Sequence, residues 1–496
     1  MKNILNKGLL LIALSASFTS CKEDYLETTP TNRVSTVDAF KTTKNAWAAL
    51  NGIHRIMYSQ IYSTQSQGGQ SGNMIYMDVL GEDVVFPNVS NSWFRSEYQW
   101  INHRNPSSSM AFYNYTFYYM IISNANMILA NIDQAEGPEA DRNAIKAEAL
   151  TYRAWAHFQA VQLYGERYVA GAANSGLGIP VVTEPSTTAK ARNTVGEVYA
   201  QINADLNEAI EKFTSYTRLN KSHFDVNIAK GIKARVALTQ QDYTTAATMA
   251  QEARKDFQLM TNTEYLGGFN NYDNREWMWS SRIVSDQTNY FYSFFAYMSL
   301  NYNSTAIRAT PKLMNSALYN QISESDVRKK LWDPTGTNTV DFPLPASTFQ
   351  RYPYQSKKFR VADLSLSIGD VPYMRAAEMY LIEAEALARS NRNTEAAAVL
   401  NLLAVNRDPS YVLSTKTGAE LIDEIMIHRR VELWGEGFRF YDLKRTNSPL
   451  NRNGGNHSAT FTNGALSVAP GDIKWQFLIP QDEINNSQGL VVQNPQ

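Results

Sequence analysis

The 496-residue chain has a single cysteine, Cys21, so no disulfide can form within it and the fold must hold by burial alone. It lacks an excess of either charge. Its 46 basic and 47 acidic residues give a formal −1, which offers no electrostatic case for nucleic acid as a partner. The apolar run Leu9–Leu14 is too short to cross a bilayer and no second long run exists, so any membrane attachment would come from lipid. Catalytic signatures are missing too. The six histidines (His54, His103, His157, His223, His428, His457) are scattered, with no pair at metal-ligand spacing. There is no phosphate-cradling glycine loop followed by lysine and no Gly-x-Ser-x-Gly elbow. The carboxylates are too many to single out an acid/base pair, whose test is separation in space. No catalytic residue, metal or cofactor is therefore assigned, and the chain is not expected to be an enzyme.

What is present begins at the N-terminus. Lys2 and Lys7, the apolar run, and the small polar residues Thr19 and Ser20 have the layout of a secretory signal ending before Cys21. A signal that ends on cysteine resembles a bacterial lipoprotein signal, which implies acylation of Cys21 as the mature N-terminus. The alternative is an ordinary exported protein with a stray thiol. Lys22-Glu23-Asp24 resembles the surface-export signal of Bacteroidota lipoproteins. Two or more acyl chains on one residue anchor stably. Without its first twenty residues, which hold two lysines and no acid, the chain keeps 44 basic and 47 acidic residues. Hydrophobic and charged fractions of 44% and 19% are globular values. Aromatics reach 12%, with 28 tyrosines, and flat rings with a polar tip suit sugars or partner proteins where they are not packed inside.

Along the chain, residues 23–33 read as a polar tether. A helix is expected from about 35 to Met57, then a Ser/Gln/Gly-rich loop from Gln60 to Gln70. Residues 78–104 show no helical period. Long helices are expected over 107–132 and 139–164, the second stopped by Gly165. Thr194 and Glu197 form a capping-box pattern ahead of another helix. The pair 227–238 and 243–254 places Ala234, Ala246 and Ala253 at spacings of 12 and 7, the small-residue pattern of a tetratricopeptide repeat. A further pair spans 373–390 and 394–405, where Ala384 and Ala396 repeat the 12 spacing and Leu403 replaces the third small residue. An insert of about 261–372, rich in Asn, Tyr and Ser, reads as loops with short strands. The segment 429–445 (RRVELWGEGFRFYDLKR) is dense in charge, glycine and aromatics. Arg429, Arg430, Glu432, Glu436, Arg439 and Asp442 are expected to pair with one another as a buried network locking a helix-to-loop corner, rather than to form an anion site. The preceding helix is expected to end at Gly435.

That segment resembles the C-terminal hallmark of the SusD/RagB family. Glu148-Ala149 to Gly165, Gly178-Ile179-Pro180, Asp370 to Glu378, Leu381 to Ala386, Phe477 to Ile484 and Gln493-Asn494-Pro495 match further family motifs in order. The resemblance implies a mainly α fold of tetratricopeptide-like helix pairs with a large irregular ligand-binding insert. It also implies a surface lipoprotein of the outer membrane that binds a nutrient, usually a glycan, and delivers it to a SusC-like TonB-dependent transporter. The expected division is a signal at 1–20, a lipidated tether at 21–34, and one domain at 35–496, with repeat helices at about 35–260 and 373–434.

In this family ligand contacts come from the early loop and the insert, here about 78–104 and 264–303. A sugar ring offers C–H faces to aromatic planes, and its hydroxyls seek carboxylate, amide and guanidinium groups. Trp93 and Trp100 would supply planes, with Asp83, Arg95 and Asn102 as polar partners. Trp277 and Trp279 alternate as on one face of a strand. Tyr292 and Tyr297 belong to a run with seven aromatics in Tyr290–Tyr302. The same fold carrying peptide or other non-sugar cargo, or acting as a protein-interaction scaffold, remains open at this stage.

Overall fold

The computed structural model describes residues 39–62, 64–87, 93–213, 216–287 and 290–496. Cys21, the signal and the tether lie outside the described residues. Helices of eight residues or more are labelled in chain order: α1 (Thr43–Ile56), α2 (Gly69–Val79), α3 (Ser109–Asn131), α4 (Glu139–Tyr164), α5 (Val195–Lys212), α6 (Val226–Gln240), α7 (Tyr243–Arg254), α8 (Ala376–Arg389), α9 (Asn393–Arg407), α10 (Gly418–Glu432) and α11 (Arg439–Thr446). The protein is mainly α, as expected.

Helices adjacent in the chain pack in pairs through most of the stack, α3 on α4, α4 on α5, α6 on α7 and α8 on α9, while α1 packs on α3 and α4. α4 is the spine, buried nearly all round from Ala144 to Tyr164. It ends where Gly165 leaves helical geometry, and Lys444 donates to the carbonyls of Gln162 (2.6 Å) and Gly165 (2.9 Å) at that end. A cation there satisfies carbonyls that the last turn leaves without partners. The Thr194–Glu197 capping box opens α5 with both hydrogen bonds formed. Ala234, Ala246, Ala253, Ala384 and Ala396 are all fully buried, and their lack of bulk is what lets the paired helices approach.

The insert does not interrupt the stack, because α7 packs directly on α8 across it. Its ends are clasped by an antiparallel pair, β2 (Trp277–Ser281) with β6 (Val371–Arg375). Inside the insert a four-stranded sheet has the order β1-β3-β5-β4, from Val84–Val85, Leu313–Met314, Gln355–Ser356 and Trp332–Asp333. The edge strand β1 belongs to the early loop, so backbone pairing ties that loop to the insert more than 200 residues later.

Three expectations are corrected. The helix start expected near 35 lies outside the described residues; within them Ala39 is helical, the helix breaks at 40–42 where Thr42 pairs with Glu136, and α1 begins at Thr43, capped by the Thr42 side chain. α2 begins within the expected loop and runs into the segment without helical period, where no helix was expected: all eleven of its residues are buried, so no polar face marks it as helical. α10 ends at Glu432, three residues before the left-handed Gly435.

Candidate functional site

The early loop and the insert meet, which is the main point the site depends on. The edge of Tyr297 meets Trp93 at a centroid distance of 6.2 Å and Phe94 at 5.2 Å. The short helix Phe294–Met298, which carries Tyr297, packs on α2 and against the turn Tyr290–Tyr292. That turn lies over Gly68, where an added Cβ would sit 2.6 Å from the Tyr292 carbonyl oxygen. Gln287 is held by Arg55, which donates to its carbonyl (3.1 Å), and by the Tyr58 hydroxyl (2.8 Å). Phe94 and Trp100 both adopt left-handed backbone (φ 57° and 59°), a conformation that costs a non-glycine residue on the order of 1 kcal/mol or more and persists only where surroundings enforce it.

Of the predicted ligand residues, Trp93 and Tyr292 are half-buried and Arg95 is exposed, with its guanidinium 4.9 Å from the Phe461 ring. Asn102 is half-buried and its amide donates to Glu97 at 2.6 Å. Phe291, part of the aromatic run but not assigned as a ligand residue, is 55% exposed. The run itself was visible in sequence. Which ring faces outward was not, because a short 3-10 turn has no long period to read.

The other assignments are corrected. Trp277 and Trp279 are fully buried, since β2 has structure on both faces. Trp279 packs among Trp155, Phe224 and Tyr373 at 4.9–5.6 Å. It borders a cavity of about 50 Å³ shared with Gln159, Arg235 and Tyr441. Trp100 is buried: its indole N–H donates to the Leu80 carbonyl (2.9 Å) and its ring meets Trp475 edge-on at 5.0 Å. Tyr297 is buried and meets Trp93 edge-on. Asp83 is occupied by Arg430, which donates to it from Nε (3.0 Å) and Nη2 (2.5 Å).

That pairing revises the charged segment as well. Arg429 with Asp442 (2.8 Å) and Asp442 with Arg445 (2.8 Å) do pair inside it. The remaining charges reach out. Arg439 pairs with Glu82, Arg445 with Glu385 (2.7 Å), and Glu436 with Arg375 and Lys358 (2.7 and 2.6 Å). The corner thus staples the early loop, α8 and the insert together. Burial leads the perturbations nearby. It pushes the Asp78 carboxyl up to about 7 despite hydrogen bonds from the Gly437 and Arg439 N–H groups, and it brings Lys312 down to about 7. At Glu82 burial pushes upward, but Arg439 and Arg430 hold the carboxyl below its usual range.

Stacked helix pairs clasping a looped insert, with half-exposed rings where loop and insert meet, define a helical-repeat protein whose exposed aromatic surface is built on the insert and the early loop. The family described as "Starch-binding associating with outer membrane" matches residues 24–238, and the one described as "SusD family" matches 233–496. The chain belongs to the SusD family. It is 26% identical over 475 residues to SusD-like protein P2 of Formosa agariphila, covering 88% of this chain and 90% of that one. The structure is similar to that of a SusD-like carbohydrate binding protein from Bacteroides vulgatus, with TM-score 0.80, 27% identity, and 91% and 97% of the two chains covered. Surface glycan-binding protein A from Bacteroides thetaiotaomicron, solved with laminarihexaose, shares the fold at TM-score 0.68 and 15% identity, with 91% and 99% covered.

Proposed function

We propose that this chain is a lipid-anchored outer-membrane protein, facing the cell surface, that binds a glycan and delivers it to a SusC-like TonB-dependent transporter. Its part is binding rather than catalysis, and residues 35–496 act as one unit behind a tether at Cys21. The observation that carries the glycan reading is the joining of early loop and insert around Trp93, Phe291 and Tyr292. Half-exposed rings on a held backbone give flat apolar faces for sugar C–H groups at little entropic cost. The relatives named as carbohydrate binding support the same reading.

The test is a glycan array on the mature chain from Lys22, followed by titration of the best oligosaccharide. Trp93→Ala and Phe291→Ala should each weaken binding at least tenfold while thermal melting stays unchanged. If no glycan binds and the isolated transporter complex carries a peptide, glycan capture is wrong.

A further inference from the structure

Away from the aromatic surface, the fold gathers two histidines and a glutamate that no local spacing connects. His54 comes from α1, Glu148 from α4, and His223 from the loop before α6. His54 Nε2 lies 2.8 Å from one Glu148 carboxylate oxygen, and His223 Nδ1 lies 3.0 Å from the other. The three ligand-capable atoms all fall within 4.8 Å of one another. We propose that these residues form a binding site for a divalent transition metal, best suited to Zn²⁺, that clips α1 to α4 and to the loop entering α6.

Three observations carry this. The first is charge. The Glu148 side chain is fully buried, and among the described residues its ion-pair partners are these two imidazoles, with no lysine or arginine. A buried carboxylate needs a compensating cation, because taking it out of water costs several kcal/mol. Glu276, Glu385 and Glu432, buried as completely as Glu148, are each matched by arginine. The second is donor chemistry. Two imidazole nitrogens and a carboxylate are the ligand types that suit Zn²⁺ rather than Ca²⁺ or Mg²⁺, which favour oxygen. Bonds of about 2.0–2.1 Å in a tetrahedral site put ligand atoms about 3.3 Å apart. The His–Glu separations, 2.8 and 3.0 Å to different carboxylate oxygens, fall a few tenths of an ångström short of that value, a gap that small side-chain rotations close. The third is enclosure. The Trp47 ring stands edge-on to His223 at 5.3 Å, and Tyr152 flanks His54 at 5.8 Å, walls of the kind that exclude water around a metal. His54 keeps a side-chain exposure of 10%, which supplies a way in and room for a fourth ligand from solvent.

The experiment uses the full-length protein in detergent, stripped with EDTA and titrated with Zn²⁺ by calorimetry, with bound metal counted by mass spectrometry. One Zn²⁺ per chain is expected, with a rise in melting temperature that EDTA reverses. His54→Gln, at the more open edge, and His223→Gln should each weaken Zn²⁺ binding at least tenfold, while Trp93→Ala leaves it unchanged. Pulsed electron paramagnetic resonance of the Cu²⁺-loaded wild-type chain should show two bound imidazoles, a readout that needs no variant to fold. Absence of stoichiometric metal in the wild type, a Cu²⁺ signal without imidazole, or folded variants that bind Zn²⁺ as the parent does would each overturn the site.

Discussion

Glu432→Gln removes one charge and almost no volume from the centre of the protein. The fully buried Glu432 carboxylate accepts from Arg375 (3.0 Å), from Arg407 (3.1 and 3.2 Å) and from Arg328 (3.4 Å). Around it, the cations Arg328, Lys358, Arg375 and Arg407 are matched by the anions Glu276, Asp326, Glu432 and Glu436, so the group is neutral as a whole. Burial alone would raise the Glu432 carboxyl, but Arg407, Arg375 and Arg328 outweigh it and hold the group well below the usual carboxylate range. Glutamine leaves one buried positive charge in excess. Breaking a buried pair from one side costs about 3–5 kcal/mol, and the cost here belongs at the upper end because three guanidinia share the lost acceptor. Urea denaturation followed by tryptophan fluorescence measures it. Arg407→Met alone should cost a similar amount. The double variant restores neutrality and should be less destabilised than the sum by about 2 kcal/mol or more. A single Glu432→Gln loss under about 1 kcal/mol, or strict additivity in the double variant, would refute the charge-balanced reading.

Three further outcomes follow from separate parts of the structure. Gly437 sits at φ +86° with an added Cβ only 2.6 Å from the Met74 Cα, so Gly437→Ala should cost at least about 2 kcal/mol, whereas Gly464→Ala (φ +78°, open space) should cost about 1 kcal/mol, both read by urea denaturation. At Glu385 burial pushes upward, but Arg445, Arg389 and Arg429 prevail and hold the carboxyl at about 2 against an ordinary 4.5. A folded pKa below the unfolded one gives stability that is complete above pH 4.5 and lost as pH falls toward 2. Stability measured across that window should fall by about 3 kcal/mol more in the parent than in Glu385→Gln. Cys21→Ala should fold and bind glycan normally yet leave the membrane fraction after signal removal, and retention in that fraction would count against the lipid tether.

The sequence by itself determined the helical framework. α4, α5 and the pairs α6/α7 and α8/α9 were legible because their signals are local: a 3.6-residue period, a Thr194–Glu197 capping box, alanines at repeat spacing and a stop at Gly165. It also marked the two segments, early loop and insert, that the fold brings together. Only the tertiary structure decided the rest. α2 was hidden because burial on every side erases amphipathic period. Trp277 and Trp100 carry the same ring as Trp93, yet they are buried while Trp93 stays half-exposed. Which of them a ligand could reach depends on what packs over each, and no spacing encodes that. The acids and bases of the 429–445 corner were expected to pair with one another, yet only some pair within it; Arg430, Arg439, Glu436 and Arg445 reach Asp83, Glu82, Arg375 and Glu385 from distant parts of the chain. The same long-range placement sets His54 and His223, 169 residues apart in the chain, on one buried carboxylate.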